Sequence, residues 1–232
     1  CLNCHDTKTY SSMDHTHHPP DSSGSQCYNC HMPYTTYGLL KSIRSHTITS
    51  PTIIETLESG RPTACNLCHL DKTLDWTGTH LADWYGHKKP SLNDSQKTVS
   101  SAMLMALEGD AVQRAIIADA MGRQPEIQAS QGSNWIPPVL SRLLQDPYDA
   151  VRYIAGRSLS RHSAFGSLDY DFLAANSVLT NAAISSHRIW ADSKRDRSAH
   201  PEVLIRQDGS LDQTRFEEIY ARRNDREVSP KE

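Results

Sequence analysis

The chain has 232 residues, enough for one large or two small domains, and a formal net charge of −3. That balance excludes a broad basic field of the kind that grips nucleic acid or an anionic membrane. Hydrophobic residues make up 37% and the mean hydropathy is −0.59, and no run reaches the ~18 apolar residues of a membrane span.

Residues 1–95 hold all six Cys and nine of the twelve His, with few aliphatic runs. A segment so poor in Leu, Ile and Val does not build a core by itself. One motif recurs in it: Cys1-Leu-Asn-Cys4-His5, Cys27-Tyr-Asn-Cys30-His31 and Cys65-Asn-Leu-Cys68-His69. The spacing suits covalent haem c. Two thiols add across the vinyl groups of one porphyrin edge, and the following imidazole lies under the ring to bind iron. The expectation is three haems c and their irons, with a porphyrin supplying the apolar mass the sequence lacks. Structural zinc explains the cysteine pairs but not a His after every second Cys. A disulfide framework fails on the same point.

Each iron needs a sixth ligand or an open face. The first segment offers His15, His17, His18, His46, His80 and His87. His46 closes the turn Ile43–His46 before Pro51. His80 follows the third motif and leads into Trp84-Tyr85, and His17 and His18 precede the rigid Pro19-Pro20. These four are the leading candidates, ahead of His15 and His87. Met32 directly follows a proximal His and sits too close to reach the opposite face, so it is read as packing.

Beyond residue 95 there is no Cys, and apolar spacing turns helical. Val99, Met103, Ala106 and Leu107 form one stripe. Val112, Ala115, Ile116 and Ala120 form a second, behind an N-cap at Asp110. Trp135-Ile136-Pro137-Pro138 opens a third helix with stripe Val139, Leu140, Leu143 and Leu144. Asp146-Pro147-Tyr148-Asp149 starts a fourth, with Val151, Ile154, Ala155 and Leu159 inward. That opening looks like the second helix of a HEAT repeat, with any helical bundle as the alternative. Arg152, Arg157 and Arg161 share one side of the fourth helix and are read as a solvated face, with an approach to haem propionates as the alternative. Weaker helical signals follow at 168–192 and 211–223, and the last nine residues are polar. The fold class expected is mainly α: a haem-packed, loop-rich region with short helices over 1–94, an all-α HEAT-like domain over 95–195, and a C-terminal helix and polar tail over 196–232.

Cys27-Tyr-Asn-Cys-His-Met-Pro33, Arg44-Ser-His46 and Arg61-Pro-Thr-Ala-Cys65-Asn-Leu-Cys-His-Leu-Asp-Lys72 together resemble the C-terminal haem region of multihaem cytochromes c. The group is the one that includes pentahaem nitrite reductases and hydroxylamine oxidoreductases. More closely, the chain is similar to bacterial multihaem cytochromes with a following helical repeat domain. The resemblance implies His5, His31 and His69 as proximal ligands and His46 as a distal one. The Cys-x-x-Cys-Lys motif of that group's catalytic haem does not occur here. The reading is electron transfer through three haems, each iron held by two histidines, outside the cytoplasm (periplasm or cell surface). The alternatives are a multihaem oxidoreductase for a small nitrogen or sulfur oxyanion, or a cytochrome subunit of a conducting assembly. Expected partners are redox proteins or other cytochrome subunits, with a homo-oligomer or filament also admitted, and neither nucleic acid nor a transmembrane segment. A longer precursor with an export signal ahead of Cys1 is expected, and a lipidated Cys1 is the competing idea.

Overall fold

A computed structural model describes residues 1–193 and 198–226. The expected boundary near 195 and the end of the polar tail, residues 227–232, lie outside the described residues. The described chain is mainly helical. In order it runs α1 (Thr7–Tyr10), α2 (Met13–Thr16), α3 (Cys27–His31), α4 (Ile53–Ser59), α5 (Ala64–Cys68), α6 (Leu74–Tyr85), α7 (Asp94–Thr98), α8 (Ser101–Leu107), α9 (Ala111–Ala120), α10 (Gln124–Ala129), α11 (Ile136–Leu143), α12 (Asp149–Leu159), α13 (Asn176–Asp192) and α14 (Gln213–Tyr220). One antiparallel hairpin, β1 (Thr36–Gly38) and β2 (Lys41–Ile43), pairs Tyr37 with Ser42. No helix among the described residues is long and apolar enough to cross a membrane.

Side-chain caps start these short helices. Asp6, Ser12, Thr52, Thr63, Thr73, Asn93, Ser100 and Asp110 each accept a bond from a backbone amide in the first turn. Asp110, expected as a cap, forms a full capping box with Gln113.

The core lies in the second half. The stripes of α8, α9, α11 and α12 turn inward, with Met103, Leu107, Ile116, Leu140, Leu143 and Ile154 fully buried, and Leu67 and Leu70 of the first half join the same cluster. Val112 is only partly buried at its edge. Helix α9 packs on α8 and α12, and α11 on α12 and α13. The weak signal at 168–192 resolves into α13, whose helix begins only at Asn176. The expected solvated arginine face is engaged instead. Arg152 bonds the carbonyls of Asp146 and Phe172, Arg157 bonds Asp119, and Arg161 bonds the Gly122 carbonyl. A long cation near the ends of packed helices finds orphan carbonyls that a periodicity plot does not show.

Two contacts anchor the first half to this block. Helix α5, carrying the third motif, packs on α8, α9 and α10, and the hairpin lies on α9. Asp119 of α9 sits at the second contact, accepting from Ser42 of β2, from Arg123 at 2.9 Å and from Arg157 at 2.8 Å. Burial penalises its charge, but the Ser42 hydroxyl and the two arginines outweigh that and hold its carboxyl below the usual carboxylate range. A depressed carboxyl contributes stability above its unfolded pKa of about 4 and loses it as pH falls through the folded value. Asp119→Asn is therefore expected to lower stability at pH 7 by about 2 kcal/mol or more, since it leaves two guanidinium groups half-paired. Denaturant titrations at pH 7 and below pH 4 check this, because the difference from wild type should shrink in acid.

Candidate haem-binding site

Each Cys-x-x-Cys-His segment makes one helical turn. The second motif is α3 itself and the third spans α5. The first is a turn in which the Cys4 and His5 amides both bond the Cys1 carbonyl at 3.0 Å. The turn sets both sulfurs and the imidazole on one side of the chain. None of the six cysteines is used in a disulfide. Burial pushes the Cys65 thiol up to about 12, helped by nearby Cys30. Burial also pushes Cys68 up to about 12, with Glu126 adding to it. Among the described residues no group of three or more His, Cys, Asp or Glu is gathered as it would be around a single metal ion.

The imidazoles themselves fit haem. With a metal–imidazole bond of about 2 Å and ~1.1 Å from nitrogen to ring centre, two rings facing across one metal have centroids about 6 Å apart. The His15 and His31 rings lie 6.2 Å apart with planes 7° from parallel. Those of His18 and His69 lie 6.0 Å apart at 27°. Direct ring contact is closer, as at His17 and Trp84, 4.1 Å apart. The third motif thus meets a candidate already favoured, His18, and the second meets His15, which spacing had ranked lower.

The surroundings prepare these rings. His31 donates Nδ1–H to the Thr49 carbonyl at 2.9 Å, and His18 to the Thr16 carbonyl at 2.6 Å. Each bond fixes the tautomer and leaves the Nε2 lone pair outward, as in a metal-ligating histidine. Burial lowers the pKa of His69, keeping it neutral, and His18 adds to the effect. Tyr85 of α6 donates to the His15 carbonyl at 2.6 Å and so ties residues 15–18 to the far end of α6. Gly24 lies against the His18 ring, where a Cβ would overlap it. Arg44 closes the end of α3, bonding the Tyr28 and Met32 carbonyls, while Tyr34 lies between Arg44 and Arg123, each 4.1 Å from its ring centre.

The other candidates stand apart. His46 is exposed on the loop after β2. That loop is held to the His31 end of α3 by the Thr49 amide and carbonyl. His17 stacks on Trp84, and its Nε2 is buried without a hydrogen-bond partner. His80 packs against Trp76 and Trp84. The ring of His5 meets Tyr10 at 5.2 Å. Around these groups Leu2, Tyr10, Met13, Tyr28, Trp84 and Tyr85 are large apolar side chains left exposed, an uncovered surface that a porphyrin would cover.

The family model described as cytochrome c552 matches residues 12–131, just over half of the chain, beginning after the first motif. No curated protein and no solved structure matches the chain. Two matched Cys-x-x-Cys-His turns are what haem c attachment demands, and the chain belongs to the cytochrome c552 family, a c-type cytochrome of electron transfer.

Proposed function

We propose that the chain is a three-haem electron conduit, working in the periplasm or at the cell surface, in which each iron is held by two histidines. The cysteine pairs at 1 and 4, 27 and 30, and 65 and 68 anchor the porphyrins, with His5, His31 and His69 as proximal ligands. We assign His15 opposite His31 and His18 opposite His69. His17, whose buried Nε2 has no other partner, is assigned to the first motif. When bound, the iron supplies the one-electron chemistry. The chain's part is to fill both axial positions with neutral imidazoles, so that no face is left for substrate and the ligand set is unchanged on oxidation.

The observation that carries this reading is the facing pair of imidazoles at haem spacing, seen twice. Both distal histidines come from one short segment, and α3 contacts α5. The second and third motifs are thereby set close together, as a relay requires. Helices α8–α9 and α11–α12, with α9 against α12, are read as a short HEAT-type repeat that fixes the third motif and offers a face to redox proteins or other cytochrome subunits.

His18→Ala is expected to convert one of three haems to high spin in the ferric protein. Gly24→Ala should do the same to a lesser degree, because the added methyl displaces the His18 ring. Magnetic circular dichroism reads both. An unchanged low-spin spectrum for His18→Ala would remove the assignment.

A further inference from the structure

Asp71 lies two residues beyond His69, which keeps the two Cα atoms within about 7 Å of each other. Its side chain is 6% exposed. Lys72 Nζ is 2.6 Å from Oδ2 and His200 Nε2 is 3.5 Å from the same oxygen, while Oδ1 is buried without a hydrogen-bond partner. A carboxylate placed in this way carries its charge where neither water nor a donor screens it fully. The Lys72 ammonium is 36% exposed, so solvent damps its opposing field. The Asp71 field reaches the axial ring. Burial and His18 lower the pKa of His69, Asp71 raises it, and Lys72 opposes Asp71 less strongly. On the far side of the motif, Glu126 adds negative charge beside Cys68, with Arg123 and Arg44 against it. The first two motifs have no such neighbour in their own part of the chain: Asp6, Asp14, Asp21, Glu55 and Glu58 all reach solvent.

We propose that Asp71 sets the direction of electron flow: its fixed negative charge favours the ferric state at the third motif and makes that haem the low-potential, electron-donating end of the relay. The inference rests on haem c at the third motif with His69 on its iron, and on none of the distal assignments. Asp71 touches no reacting atom and is a positioning residue that acts by charge. Going from ferrous to ferric adds one positive charge beside it, which a buried anion stabilises. The one electron released reduces the neighbouring ferric haem of the second motif, whose helix α3 contacts α5, and no proton moves.

The experiment is a spectropotentiometric titration of the haem-loaded, 232-residue protein. Asp71→Asn keeps the side chain's shape and removes its charge. The lowest midpoint should rise by about 59 mV, a tenfold change in the ferric-to-ferrous ratio for one electron, with the other midpoints and the low-spin spectrum unmoved. Lys72→Met removes the opposing cation and should move the same midpoint down. A merely structural role for Asp71 does not give opposite signs. His200→Gln loosens the contact with the C-terminal segment but leaves the carboxylate, so it should not raise that midpoint. If Asp71→Asn does not fold, Lys72→Met carries the test, and a lowest midpoint that stays or rises in it would overturn the proposal. So would an unmoved lowest midpoint in Asp71→Asn, a shift confined to a higher midpoint, a new high-spin haem, or an equal rise in His200→Gln. Mass mapping of the peptide with Cys65 and Cys68 separates the two layers. No haem on it ends the three-haem reading and this proposal together, whereas haem on it with unmoved midpoints ends this proposal alone.

Discussion

Replacing Cys27 and Cys30 together by alanine is expected to expose residues 1–50 to protease while 99–221 stays protected. The first half carries little core of its own. Its separate cluster is Ile53, Leu74, Leu81 and Leu92, all beyond residue 50. Before that point the large apolar side chains Tyr10, Met13, Tyr28, Leu39 and Ile48 are exposed. Helices α1, α2 and α3 are four or five residues long, far below the ~12–15 that hold alone in water. In the proposed reading, what fixes them is covalent attachment to a shared apolar body and its axial bonds. Without the second porphyrin, local opening should rise at least about tenfold, which is ~1.4 kcal/mol of local stability. Limited proteolysis with mass mapping reads the pattern. Equal protection in the variant would show that protein contacts alone order this half.

The second large effect is expected at Arg114. Its side chain and that of Asp146 are both 0% exposed, with Nε 2.7 Å from Oδ2. That contact is an ion pair without hydrogen-bond alignment, and the aligned bond runs from Nη2 to Oδ1 at 3.2 Å. Arg114 also bonds the carbonyls of Gly109 at 2.7 Å and Asn224 at 3.0 Å, joining α9, the α11–α12 turn and the C-terminal segment. Arg114→Met removes the cation and strands a buried carboxylate, at a cost of about 3–5 kcal/mol. For a chain of this size that is a fall in Tm of about 10 °C or more. Adding Asp146→Leu should recover much of the loss, because two apolar side chains need no partner. Scanning calorimetry of the three holoproteins checks it. A single variant within 1 °C of wild type would show the pair to be dispensable.

The sequence made some of this legible. The three motifs stand out because attachment chemistry fixes spacing and residue type within five positions. The α8, α9, α11 and α12 stripes are read because a buried helix face repeats every 3.6 residues. Arg114 was not read, since a charged residue between Gln113 and Ala115 of an amphipathic helix looks solvated until α12 and the C-terminal segment close over it. The hairpin was missed for a local reason: its turn, Leu39-Leu40, has φ of 52° and 56°, where Asn-Gly would announce such a turn. His46 ends an ordered turn, and Thr49 of the same loop bonds the His31 backbone and ring, a contact that no local spacing encodes. The Tyr85 hydroxyl reaches the His15 carbonyl from seventy residues away, and no local spacing encodes that contact.

The axial state of the irons is the centre of the proposed function, and the electron paramagnetic resonance spectrum of the oxidised, haem-loaded protein measures it most directly. Low-spin ferric signals accounting for all three haems, unmoved by added nitrite or hydroxylamine, are the result predicted. A high-spin ferric signal approaching one haem per chain, shifted by either molecule, would contradict it and make the protein a site for substrate instead of a conduit.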